Sequence, residues 1–399
     1  MKSGWQTKKI GDVCDVMNGG TPKTGVPEYW DGNHRWITPA EMGKRLSPYV
    51  SDTERKITDL GLRDSSVRML PTNSVILSSR APIGHLVINT EPMGTNQGCK
   101  GLIPRSQIAS KFLYYYLSSN VDLLNSLGTG TTFKELSGGK LKEVIIPVPP
   151  LPEQQRIVSL LDEAFEGIAT AKANAEKNLQ NARALFESHL QSVFSQGGSD
   201  WAEMKLSEAT AGIFTGPFGS LLHKSEYVTN GIPLVNPAHI TETGIEPDLH
   251  KTVSKETAQR LKSYVLRIGD VVIGRRGEMG RCAVVSEIEN GWLCGTGSFI
   301  IRPSVKSDPN YLVRLLRSEN IKSKLEEIAG GTVMPNLSNT DLGNLVLNFP
   351  PVGRQKCIVE EIDELHEETQ RLANIYQQKI AALEELKKAL LHKAFSGEL

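Results

Sequence analysis

"IPVPPLPEQQRIV", Ile146 to Val158, decides the fold. Its prolines cannot donate into a sheet or sit inside a helix, so the stretch reads as a stiff, extended lead-in. Glu153 and Gln154 follow as first-turn residues of a helix, where acidic and polar side chains suit the N-terminal dipole. The stretch returns as "NFPPVGRQKCIV", Asn348 to Val359, so that Gln154 reappears as Gln355, 201 positions on. There Gly353 and Arg354 replace Pro152 and Glu153, so the two helix starts need not make identical contacts.

Working outward, each copy opens about forty residues of charged, apolar-striped sequence. These end as "SVFSQG" (Ser192 to Gly197) and "KAFSGEL" (Lys393 to Leu399). Upstream, "LPTNSVILSSRAPIGHLVI" (Leu70 to Ile88) aligns without gaps on "LRIGDVVIGRRGEMGRCAV" (Leu266 to Val284). "WITPAEM" (Trp36 to Met42) pairs with "LVNPAHI" (Leu234 to Ile240), and Trp5 with Trp201. The chain is therefore a duplication, globule, helix, globule, helix, and self-similarity of this kind outranks any single motif.

The second helical stretch carries a 4-3 seam of Ile358, Ile362, Leu365, Thr369, Leu372, Tyr376, Lys379, Leu383, Leu386 and Leu390, the rhythm of a coiled coil. The first has the same register at Ile157, Leu161, Ala164, Ile168, Ala171, Ala175, Asn178, Ala182, Leu185 and His189. Each stripe is narrow alone, and pairing buries both. About 42 residues at 1.5 Å per residue predicts rods of roughly 60 Å. Side-by-side pairing must be antiparallel, because the second helix has to run back toward the first globule. The globules read as mixed: "SVILSS" with "HLVIN", and "DVVIGRRG" with "RCAVV", are strand pairs about a turn. "SKFLYYYLSS" (Ser110 to Ser119) and "DPNYLVRLLRSENI" (Asp308 to Ile321) read as amphipathic helices. The expected fold is α+β: two similar mixed α/β domains joined by two long antiparallel helices, with a pseudo-two-fold internal repeat.

At 399 residues the length suits two domains. No apolar run approaches the roughly 18 residues that span a bilayer, and no signal-peptide core opens the chain. The five cysteines are scattered without a Cys-x-x-Cys pair, so neither a disulfide framework nor a zinc site is suggested, and a cytoplasmic home is expected. Formal net charge is zero but unevenly spread: residues 1–150 hold 18 Lys+Arg against 13 Asp+Glu, whereas 201–350 hold 16 against 16. Taken alone, this balance speaks for solubility more than for a polyanionic partner. "CGTGSF" (Cys294 to Phe299) and "DPNY" (Asp308 to Tyr311) imitate methyltransferase motifs, but lie too close together for a fold that needs several strand–helix units between them. No catalytic or metal-binding set is expected in this chain.

The doubled "P-x-P-P-L-x-E-Q-x-x-I" string with its "K-A-F-S-G-E-L" finish resembles the specificity subunit of type I restriction–modification systems, and the resemblance covers the whole chain. It implies target recognition domains at 1–152 and 198–353, and spacer helices at 153–197 and 354–399. Each domain would contact one half of a split, asymmetric site in double-stranded DNA. The helices would fix the gap and bind two copies of the methyltransferase subunit, two restriction subunits joining outside. S-adenosylmethionine would sit on the methyltransferase partner, ATP and Mg on the restriction partner, and no cofactor here. Restriction of foreign DNA would be the outcome. The alternative from the residues alone is a coiled-coil scaffold whose globules bind protein or glycan.

Contacts to DNA call for cations at phosphates and Arg, Asn, Gln, Ser or Thr at base edges. Arg80 aligns on Arg276, with Arg275 beside it, each at a turn near Gly84 or Gly280. A recurring guanidinium there suits a groove or backbone contact, or simply a surface ion pair. "GGTPKTG" contributes Lys23, and its counterpart "TGPFGSLLHK" contributes Lys224. "NHRWITPAEM" contributes His34, Arg35 and Trp36, against Asn236 and His239 in the second copy. "GTGTTFKEL" contributes Thr131, opposite "GGTVMPNL". Partner contact is expected at the helix starts: Gln154, Ile157, Leu161, Gln355, Ile358 and Ile362.

Overall fold

The structure is a computed structural model and describes residues 4–130, 134–195, 197–217, 221–330 and 336–399. It divides into two compact units, Met1–Glu176 with Gln377–Leu399, and Lys177–Tyr376.

In the first unit the main sheet has five strands, in the order Cys14–Asn18, Cys99–Pro104, Val75–Ser79, Ile83–Asn89 and Tyr49–Val50. All pair antiparallel except the last. Val75–Ser79 is buried at every residue, as expected of a central strand with both faces covered. A smaller sheet runs Arg55–Ile57, Trp30–Ile37, Gly94–Thr95. A two-stranded ladder pairs Gln6–Lys9 with Ile145–Val148. Pro147 sits within that ladder opposite Thr7, so the proline lead-in begins as an edge strand, where a missing N–H is tolerated.

The second unit repeats this plan. Thr210–Thr215, Ser298–Pro303, Val271–Gly274 and Cys282–Val284 form the main sheet in the equivalent order. Ala202–Lys205 pairs with Val346–Phe349. Ser110–Ser119 is one helix, but the stretch from Asp308 splits into Pro309–Arg317 and Glu319–Ala329, because Ser318 is extended (ψ 142°).

The long helices run Leu151–Ser195 and Val352–Ser396, 45 residues each. In the first unit Arg156 donates to the Leu399 carbonyl at 2.7 Å, Lys387 lies 5.2 Å from the Phe165 ring, and Lys172 pairs with Glu384. As one number rises the other falls, so the two segments are antiparallel. In the second unit Phe186 stacks on His366 at 4.8 Å.

Beyond Ala175 and Tyr376 the heptad holds only in part, with Ala182 buried and Leu383 half-buried. Leu185 and Leu386 are 53% and 47% exposed, and Asn178 and Lys379 are exposed as well. One residue on from Asn178, Leu185 and Lys379, the side chains of Leu179, Phe186 and Ile380 turn inward, and Leu391 is buried next to Leu390. Inward positions recur at eleven (Ile157, Ile168, Leu179, Leu190; Ile358, Thr369, Ile380, Leu391). Eleven residues span close to three turns of an unstrained helix, whereas a strict heptad needs a left-handed supercoil.

Candidate nucleic-acid interface

Two glycines set up the surface. The strands Cys14–Asn18 and Thr210–Thr215 run into Gly19 and Gly216, whose amides donate to the Cys99 carbonyl (3.1 Å) and the Ser298 carbonyl (3.0 Å). A Cβ would lie 2.0 Å from the Asn96 carbonyl oxygen at Gly19, and 2.0 Å from that of Gly295 at Gly216. Only glycine allows this approach.

Beside them lies the recurring arginine turn. In the first unit Arg80 and Glu135 form an antiparallel bridge, and the Leu136 amide donates to the Ser79 carbonyl at 2.9 Å. Arg80 Nη1 stands 3.8 Å from Glu135 Oε2, and Lys100 Nζ 3.4 Å from Oε1 of the same carboxylate. The Lys100 side chain is only 6% exposed. It borders a cavity of about 510 Å³ shared with Asn18, Thr129, Glu135, Ser137 and Gly138.

In the second unit Arg276 and Asn336 form the same bridge, and the Leu337 amide donates to the Arg275 carbonyl at 3.0 Å. Both guanidiniums donate from Nε to Asn336 Oδ1, at 3.1 Å from Arg275 and 3.3 Å from Arg276. The Arg275 guanidinium also lies 5.3 Å from the centre of the buried Phe299 ring. Burial, and then the Arg276 charge beside it, hold Arg275 below its ordinary pKa.

The other expected contacts are placed less uniformly. Lys23 is exposed, in a loop whose carbonyl at Lys23 accepts from Val26 N and Trp30 Nε1. Lys224 is exposed at the start of the turn Lys224–Glu226. Arg35 is half-buried between Asp52 (3.4 Å) and Glu91 (3.9 Å). Asn236 precedes the turn Pro237–His239 and packs its side-chain oxygen against Gly295. Trp36 is 1% exposed, donates to the Gly20 carbonyl at 3.0 Å and meets Trp30 edge-on. It belongs to the core, a correction to its placing among contact residues. Thr131 lies outside the described residues.

A family model for the type I restriction modification DNA specificity domain matches residues 2–180 and again 199–384. The chain belongs to that family. Among its relatives is the MjaIX specificity subunit of Methanocaldococcus jannaschii, 28% identical over 416 residues, covering 99% of this chain and 93% of that protein. The EcoR124I/EcoR124II specificity subunit of Escherichia coli is 34% identical over 166 residues, 40% of each. The fold matches the HsdS subunit of Thermoanaerobacter tengcongensis at TM-score 0.69 and 21% identity, over 100% of this chain and 98% of that one. A chain from a structure of type I restriction–modification complex assembly matches at TM-score 0.75 and 20% identity. This specificity subunit therefore serves DNA sequence recognition within a type I restriction–modification system.

The helix starts correct one expectation. Gln154, Ile157, Leu161, Gln355, Ile358 and Ile362 are each at most 1% exposed, so these side chains serve their own domain and offer no surface to a partner. Gln154 Nε2 donates to the carbonyls of Pro149 (2.8 Å) and Gln107 (2.9 Å), and its Oε1 accepts from the Ala109 amide (2.9 Å). Gln355 does the same with Pro350, Lys306 and Asp308, all at 2.8 Å. The flanking charges differ: Glu153 pairs with Arg156 (2.7 Å), and Arg354 with Glu361 (2.7 Å). Sequence reasoning missed Lys100, whose signal was a lone cation within the apolar strand "CKGLIP".

Proposed function

We propose that this chain is a non-catalytic specificity subunit whose two recognition domains each hold one half of a split, asymmetric DNA site. The observation that carries this is the arginine turn: the same backbone link recurs in both units with cations upon it, while the side chains around it differ. A repeated frame suits a repeated backbone, and different side chains suit two different half-sites. The cationic residues Arg80, Lys100, Arg275 and Arg276 lie near phosphates, with Lys23 and Lys224 exposed for further contact. Arg35, held by two carboxylates, and Asn236, packed on glycine, shape the surface more than they reach from it.

The long helices fix the gap between half-sites and carry the methyltransferase subunits, one for each repeat, through their exposed faces. Restriction subunits complete the assembly. S-adenosylmethionine belongs to the methyltransferase partner, and ATP with Mg to the restriction partner.

Methylome sequencing of a host that expresses this chain with its methyltransferase tests the proposal. A two-part methylated motif with a fixed gap is expected. A contiguous motif, or methylation independent of this chain, refutes it.

A further inference from the structure

The two arginine turns differ at three structurally equivalent positions. Ser79 in the first unit corresponds to Arg275 in the second, since each accepts the same amide from the following loop (Leu136 or Leu337). Lys100 corresponds to Phe299, since Leu77 pairs with Lys100 and Ile273 with Phe299 on matched strands. Glu135 corresponds to Asn336, since each bridges its arginine. The cation is thus kept by a change of residue, Lys100 in one unit and Arg275 in the other. The anion is not kept. Over these side chains the first unit holds Arg80, Lys100 and Glu135, two positive charges and one negative. The second holds Arg275, Arg276 and Asn336, two positive and none negative.

The acceptors act differently as well. Glu135 faces both cations of its unit as a carboxylate and cancels one charge. Asn336 orients both guanidiniums through one amide oxygen and cancels nothing. Two like charges held side by side on a neutral acceptor suit an incoming polyanion better than a cluster already half-neutralised.

Resting on the DNA-reading function proposed above, we infer that Glu135 and Asn336 set how strongly the arginine turn of each recognition domain holds the phosphate backbone, the second turn carrying the larger salt-sensitive share of the two. Neither residue needs to read a base. They are positioning residues that act through the arginines.

The test uses the full chain, a duplex bearing its site, and affinity titrations between 50 and 200 mM salt, with E135Q and N336D as near-isosteric variants. Each phosphate contact adds about 0.9 to the slope of log affinity against log salt. E135Q is expected to steepen that slope by up to about 0.9, so that affinity falls about 3.5-fold more across the fourfold salt range. N336D is expected to flatten it by a similar amount, with phosphate protection lost in the second half-site only. The E135Q/N336D pair is expected to restore the parent slope. An E135Q slope equal to the parent's overturns the inference, whatever N336D does. A parent chain that binds without salt dependence instead removes the DNA-reading function itself, and this inference with it.

Discussion

Replacing Gln154 with leucine tests how each domain is locked to its long helix. Leucine keeps most of the volume, so little cavity forms and the effect is one of hydrogen bonding. Three partners lose their bonds: the buried Pro149 carbonyl, the Gln107 carbonyl and the Ala109 amide. A buried group left without a partner costs about 1–3 kcal/mol, and more exposed groups recover water. Gln107 is exposed and Ala109 only half-buried, so the full cost falls on Pro149 and a fraction on the others. The expected loss is about 2–4 kcal/mol, or about 2–4 °C of Tm for each kcal/mol in a domain of this size. Gln355→Leu should cost the same, because its three bonds match within 0.1 Å. Thermal unfolding with amide exchange at Ala109 and Asp308 is the assay, and exchange there should speed up before the sheets open. Gln154→Glu is the sharper variant. Its carboxylate would face two carbonyl oxygens, so the neutral form is favoured and the folded-state pKa raised. Stability should then be greatest at low pH and fall as pH rises through that pKa. If Gln154→Leu unfolds within about 0.5 kcal/mol of the parent, the helix starts are held by Ile157 and Leu161 packing and the hydrogen-bond argument is wrong.

Gly19→Ala and Gly216→Ala each push a Cβ to 2.0 Å from a backbone carbonyl, so the strand end must shift. A loss of about 2–4 kcal/mol is expected by denaturant titration, whereas Gly167→Ala, with open space inside a long helix, should gain about 0.5–1 kcal/mol. Burial pushes the thiols of Cys14, Cys99 and Cys282 up to about 12 and raises Cys294 further, while Cys357 is exposed. Alkylation of the native chain near pH 8 should therefore modify Cys357 alone, read by mass spectrometry, and a second modified cysteine would show that the sheets open more readily than their packing implies.

Much of the architecture was legible because duplication prints itself at fixed spacing. The Leu70 to Ile88 alignment on Leu266 to Val284 became matching central strands, Val75–Ser79 and Val271–Gly274, and the proline-led strings became the two long helices. What stayed hidden depended on distance in space. Gln154 reads as a solvent-facing first-turn residue until Gln107 and Ala109, 47 and 45 positions away, are brought against it. The seam was right to Ala175 and Tyr376 and beyond them held only in part, at Ala182 and Leu383 among others, because a heptad count assumes 3.5 residues per turn and an unstrained helix has 3.6. Leu185 and Leu386 fitted the count and ended exposed. Trp36 sat among plausible contact residues, and only the strand Trp30–Ile37 with its Trp30 partner shows it facing inward. At the arginine turn the sequence offered Arg80 and Arg276, but the cation exchanged between Lys100 and Arg275 needs the strand register to be seen.

The first unit takes Leu391, Ala394 and Phe395 into its core, with Phe395 set edge-on to Phe112 at 5.2 Å and to Tyr116 at 5.3 Å. Those residues are synthesised after the whole of the second unit, which is one unbroken span, Lys177–Tyr376. On the ribosome, then, the first unit starts before the second and is completed after it. Its apolar surface around Phe112 waits uncovered while the second unit is translated and folds, so truncation near residue 390 should harm the first unit more than the second.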